Sequence, residues 1–300
     1  QQGRAHGSIL DGKRPKAGFG LEVEEFHGEK EGCVMWSREI LKSNAKIALT
    51  GRYWRAFVVA LLVSLLSGLA NLGNTLSRLA DTYESFWGIW GAHDLENFST
   101  HVHFMNWLDA WTVALALFGF LLAVFVYNVF QVGQARYFVQ NHFGGTSIET
   151  LFSGFRSGYG NTVAAMVVTS LYVFFWSLLL LIPGIYKSYQ YFMVPYILSD
   201  NPHIPGYRAR TISRMMTDGE KLNIFLLDLS FLGWYLLGTL CLGVGVFFVN
   251  PYYEATKAEL YIYLRDRAIQ TGQVSPEELG LVFHAPGGEN PFGPPPTYMK

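Results

Sequence analysis

The chain has 300 residues, half of them hydrophobic and 16% aromatic, with 15% charged and a formal net charge of −1; an average soluble domain is about 25% charged. So balanced a charge leaves no basic field for nucleic acid, and two cysteines, Cys33 and Cys241, are too few for a disulfide framework or a thiolate metal site. Ala56–Ser77, Ala110–Ala135, Asn161–Tyr186 and Leu229–Tyr253 contain no Asp, Glu, Lys or Arg. Each run is longer than the ~20 apolar residues that cross a bilayer core, so the chain reads as an all-α polytopic membrane protein.

Residues 1–34 are Gly-rich, charged and without apolar period, and lack the apolar core of a signal peptide. They read as a disordered or non-native extension. Lys30-Glu31-Gly32 can be encoded by a ribosome-binding sequence just upstream of the Met35 codon, which makes Met35 the expected native start. From Met35 to Arg55, the bases Arg38, Lys42, Lys46, Arg52 and Arg55 face Glu39 alone, so this segment belongs on the cytoplasmic side.

A first span, Trp54–Leu76, then leaves the cytoplasm. The connection at 77–109 carries Arg78 against Asp81, Glu84, Asp94, Glu96 and Asp109, and belongs outside. His93, His101 and His103 lie in it among carboxylates, a candidate zinc or copper site if the loop gathers them. Phe86, Trp87 and Trp90 favour instead an interfacial helix with solvent-facing histidines. A second span, Trp107–Phe130, returns to Arg136 and Arg156 inside.

The third span, Asn161–Ile182, reaches Pro183-Gly184, the expected outer turn of a tight helical hairpin. Arg208, Arg210, Arg214 and Lys221 require a return before residue 200, so the short aromatic stretch Ile185–Ser199 is a fourth span. As one helix, Leu222–Val249 would be about 42 Å long, too long for a ~30 Å core. It divides into a fifth span, Leu222–Leu240, a turn at Cys241–Gly245, and a sixth span, Val246–Leu264.

The result is six transmembrane helices arranged as three helical hairpins, both termini cytoplasmic. The amphipathic segments Ser37–Leu49, Ser147–Phe155 and Ala209–Met216 suit the membrane interface. Each precedes a glycine (Gly51, Gly158, Gly219) and then an odd-numbered span, the mark of an internal repeat. Residues 35–270 form the membrane domain, and 271–300 a Pro/Gly-rich, disordered tail.

Ionisable residues at membrane depth are functional candidates because each costs roughly 2.5–3.5 kcal/mol to insert. Asp228, Glu254, Lys257 and Glu259 qualify. Two readings stay open: a proton or cation site built from the three carboxylates, or a helix-pinning Asp228–Lys257 ion pair. Lys187, just past the expected outer turn, is a lipid-contact candidate that can snorkel to headgroups. No nucleotide loop, His-Glu-x-x-His or Gly-x-Ser-x-Gly pattern occurs, so no cofactor and no catalytic residue is expected.

Residues 35–269 resemble an uncharacterised bacterial family of integral membrane proteins, domain of unknown function 975. The resemblance rests on Ser37-Arg38-Glu39-Ile40-Leu41-Lys42, on Ile182-Pro183-Gly184-Ile185-Tyr186-Lys187-Ser188-Tyr189 and on Pro195-Tyr196-Ile197-Leu198. It also rests on the run Phe225-Leu226-Leu227-Asp228-Leu229-Ser230-Phe231-Leu232-Gly233-Trp234 and on Gly243-Val244-Gly245 through Pro251-Tyr252. It implies a six-helix fold in the bacterial plasma membrane and brings no activity or catalytic residue. The first expectation for function is a non-enzymatic interaction or assembly module, its partners the lipid bilayer and a membrane protein or a second copy. The alternative is a transporter or permease for an ion or small solute, with Asp228 and Glu254 in the pathway.

Overall fold

A computed structural model describes residues 36–70, 78, 82, 111, 113–144, 146–240 and 243–281, and every regular element among them is helical. Helix α1, Arg38–Leu49, starts at Ser37, whose hydroxyl accepts from the Ile40 amide, and buries Leu41, Ala45 and Leu49 at four-residue spacing. The chain then bends by 104° into α2, Tyr53–Ala70, through Gly51 at φ 75°. Helix α3, Val113–Phe143, contains a wide π-turn at Ala123–Tyr127 and stops at Gly144, φ 101°. A 3₁₀ turn, Ile148–Phe152, and one helical turn, Ser153–Arg156, lead to α4, Tyr159–Leu179. Then follow α5, Leu181–Gln190; α6, Val194–Asp200; α7, Gly206–Met216; α8, Lys221–Leu240; and α9, Val244–Gln270.

Helices α3, α4 and α8 are each long and apolar enough to cross a membrane, and the α1–α2 elbow makes a fourth by length and composition. Their outward faces carry Leu117, Phe120, Phe174, Leu178 and Leu236, and Ile182 and Leu240 remain 80% and 81% exposed at the helix ends. Such a belt is a liability in water and the normal surface against lipid. The tight core lies elsewhere: Leu41, Tyr137, Ile197, Ile212, Leu260 and Leu264 are buried where α1, α3, α6, α7 and α9 meet.

The expected turns differ from the observed ones in instructive ways. The chain reverses at Leu180, in extended conformation, three residues before Pro183. Pro183 and Gly184 lie inside the first turn of α5, where proline's missing N–H breaks no bond. Gly184 serves close approach: a Cβ there would sit 2.6 Å from Ser177 Cα on α4. The stretch expected as one fourth span is two helices, α5 and α6, interrupted at 191–193. Pro195, in the first turn of α6, cannot donate back to the Tyr191 carbonyl and so cannot continue α5.

The break between α8 and α9 falls within the expected turn, with Gly243 at φ 77°; Cys241 and Leu242 lie outside the described residues. The two helices touch at Gly238 and Gly245, where a Cβ on Gly245 would lie 2.6 Å from Gly238 Cα. Small residues allow this approach. Gly51, Gly158 and Gly219 adopt φ of 75°, 66° and 76°, each ahead of a long helix. The tail expected to be disordered from 271 is packed as far as 281. Val274 and Leu279 are buried, Glu278 pairs with Arg208, and the Glu278 carbonyl accepts from Asn201 Nδ2 at 2.9 Å. Residues 1–34 and the candidate metal ligands His93, His101 and His103 lie outside the described residues.

Candidate functional site: a carboxylate–tyrosine cluster between helices α5, α8 and α9

Asp228 is two turns into α8, about 10 Å along the helix from Lys221. Each of its oxygens accepts one tyrosine hydroxyl: Tyr189 from α5 to Oδ2 at 2.9 Å, and Tyr253 from α9 to Oδ1 at 3.0 Å. Two turns further along α8, Tyr235 packs edge-on to Tyr253, ring centroids 5.9 Å apart, and donates to Asn250 Oδ1 at 3.1 Å. Asn250 Nδ2 donates in turn to Ser64 of α2 at 3.1 Å. A seam of polar side chains thus joins α2, α5, α8 and α9 between apolar flanks. In such low-dielectric surroundings these bonds are strong and an unmade one is costly.

Lys257 and Glu254 bond each other at 2.7 Å, one turn apart on α9. The Lys257 ammonium lies 4.5 Å from the Tyr253 ring centroid and 5.6 Å from that of Phe192, close enough for cation–π attraction. The Asp228–Lys257 ion pair expected from the sequence is therefore not formed. Lys257 takes the carboxylate on its own helix, which needs no helix docking, and Asp228 is satisfied by hydroxyls. With Asp228 and Glu254 ionised and Lys257 protonated, the cluster carries one excess negative charge. Chemically it can hold a proton or a monovalent cation, or act as a polar pin between helices.

The model of one family, "Protein of unknown function (DUF975)", matches residues 113–268, just over half of the chain. The chain belongs to that family. No curated protein and no solved structure matches it. The stretch matched by DUF975 contains Tyr189, Asp228, Tyr253, Glu254 and Lys257; α1, the elbow and residues 271–281 fall outside it.

Glu259 does not join the cluster. Five residues past Glu254, it points about 140° away around α9 and bonds His142 Nδ1 of α3 at 2.6 Å, almost wholly buried. Among the described residues no group of three or more His, Cys, Asp or Glu could hold a metal ion. Lys187 donates to Gln190 Oε1 at 2.8 Å and lies 5.2 Å from the Trp176 ring centroid, which ties it to α4 and its own helix.

Two polar nodes outside the spans escape sequence reading because their members are far apart in the chain. Glu220, just before α8, accepts from Arg267 Nη1 at 2.6 Å, Asn223 Nδ2 at 2.9 Å and Trp36 Nε1 at 3.1 Å. Burial alone would raise its pKa, but these donors hold the carboxyl below the usual carboxylate range. Asp200, ending α6, accepts from the Tyr261 hydroxyl at 2.6 Å and from Arg265 Nη1 at 3.2 Å. The only advance signal was the two bases, Arg265 and Arg267, closing the last apolar helix.

Proposed function

We propose that the chain is a non-enzymatic interaction or assembly module of the bacterial plasma membrane, six spans paired as three hairpins with both termini cytoplasmic. One contrast carries this reading: the interior charges are all engaged, Glu254 with Lys257 and Asp228 with two tyrosine hydroxyls, while Arg38, Lys46, Arg55, Arg156 and Arg214 stand exposed with no ion pair among the described residues. A rim of unpaired bases on amphipathic helices suits headgroups and acidic partner surfaces. The three left-handed glycines, each placed between an amphipathic segment and a long helix, support an internal repeat of one hairpin unit.

A transporter is the second reading, favoured by the Asp228 carboxylate held by hydroxyls from two other helices. The deciding experiment is native mass spectrometry of the protein extracted from its own membranes in polymer discs, paired with flux in proteoliposomes. A stoichiometric protein partner or second copy, with no flux, is the expected result. Solute flux that disappears in Asp228→Asn would overturn the module and establish the transporter.

A further inference from the structure

The elbow between α1 and α2 concentrates base without acid. Lys46, Arg52 and Arg55 lie within ten residues, none of them in an ion pair among the described residues, and Glu39 is the nearest carboxylate in the chain. Arg52 Nη1 donates to the Asn141 carbonyl in the last turn of α3 at 3.3 Å, and Asn141 Nδ2 donates back to the Ala48 carbonyl at 2.9 Å. The guanidinium is thus fixed at a helix C-terminus, not left on a free arm. The Arg55 N–H donates to the Arg52 carbonyl at 3.1 Å, which sets the two arginines one turn apart at a single spot on the head of α2.

Below this spot the surface changes character in an ordered way. Arg55, Val58, Leu62, Leu65 and Leu69 are all exposed and follow one another at three- and four-residue spacing. They fall within about 80° of arc on α2, on the side opposite the buried Ala56, Val59, Ala60 and Val63. The stripe runs about 21 Å from Arg55 to Leu69 at 1.5 Å per residue, enough to follow one leaflet of a ~30 Å core. Exposed Trp54 adjoins its head, where indole rings favour the interface.

We propose that the α1–α2 elbow is a binding site for an anionic diacyl phospholipid, its phosphate held by Arg52 and Arg55 and an acyl chain lying along Val58, Leu62, Leu65 and Leu69. Two guanidinium groups present a forked donor set that matches phosphate oxygens, and the apolar continuation selects a lipid over free phosphate. This rests on the module reading and names a partner for its basic rim.

The test is native mass spectrometry of the full chain in detergent, titrated with phosphatidylglycerol and with phosphatidylcholine of the same acyl chains. The parent protein should retain phosphatidylglycerol about tenfold better, as expected for charge-assisted bonds. Arg55→Gln should erase most of that preference, and Arg156→Gln should preserve it. Leu62→Ser with Leu65→Ser should weaken retention of both lipids; because these side chains are exposed, that variant keeps its fold even where Arg52→Gln, which uncaps α3, does not. Unchanged preference in Arg55→Gln overturns the site. So does displacement of lipid by sodium phosphate combined with full retention in the leucine variant, which would assign the arginines to free phosphate. Asp228→Asn leaves the lipid preference intact, so a transport result would defeat the module and spare this site.

Discussion

Tyr253 donates its hydroxyl to Asp228 across the α8–α9 interface at 3.0 Å, with the buried Phe231 ring packed edge-on against it at 5.2 Å. With the Tyr235–Asn250 bond, it is one of the polar links in an otherwise apolar α8–α9 contact, and Asp228 has no charged partner to replace it. Tyr253→Phe should therefore lower stability by about 1 kcal/mol, near the upper part of the range for side-chain bonds inside membranes. Asp228→Asn retains an acceptor and should cost less. Thermal unfolding in detergent compares the two, and equal, negligible effects would show that the seam does not pin the helices.

Glu254 and Lys257 form a pair within one helix and are both largely buried, so either alone leaves an uncompensated buried charge. Lys257→Met should destabilise by about 3 kcal/mol. Glu254→Gln combined with Lys257→Met should restore most of the loss, because no uncompensated charge remains. A double variant no better than the single one would mean that Lys257 acts mainly through the Tyr253 and Phe192 rings.

Gly184 and Gly238 lie where helices touch, whereas Gly233 has nothing within 4 Å of an added Cβ. Gly184→Ala and Gly238→Ala should each cost about 1–3 kcal/mol through overpacking. Gly233→Ala should be neutral or stabilising by up to about 1 kcal/mol, since alanine is the better helix former. Unfolding midpoints of the three variants, measured together, test the close approaches directly.

Glu220 and Glu278 carry the acid response. The Arg208 guanidinium bonded to Glu278 holds that carboxyl below its ordinary range, and Glu220 is also lowered. For a depressed carboxylate the stabilisation is complete above its unfolded pKa, about 4.3, and is lost as pH falls through the folded value. The unfolding midpoint should be flat near neutrality and drop in acid. Glu220→Gln should lower the neutral plateau and shrink the acid drop; an unchanged acid drop would remove Glu220 from the account.

Much of the helical layout was legible because long apolar runs report on the solvent around a helix: α4 and α8 begin and end within three residues of the expected limits. Helix α3, in contrast, runs on to Phe143, 13 residues past the expected Phe130, because its last turns are polar yet buried in the core. Turns were harder. A proline in the first turn of a helix satisfies the same constraint as a proline in a loop, so Pro183-Gly184 looked like a turn when the reversal was at Leu180. The site was legible in its charges and not in its partners. Asp228 stood out by residue type alone, but its bond to Tyr189 spans 39 positions, and nothing local distinguishes that tyrosine from Tyr186 or Tyr191. The Glu254–Lys257 pair was within reach of simple i,i+3 geometry, which ranks a same-helix partner ahead of one on a neighbour.

The strap at 271–281 ties the end of the described chain to its middle. Glu278 and Arg208 are 70 positions apart, and the loop they close contains α8 and α9. Pulled from the C-terminus, the chain must release Glu278 from Arg208 and Asn201, and draw Leu279 out of the core, before force reaches α9. The strap is a mechanical clasp: it makes extraction or end-on proteolysis wait on the opening of the α6–α7 corner, and it sets the shortest truncation that leaves the fold whole at residue 281 instead of 270.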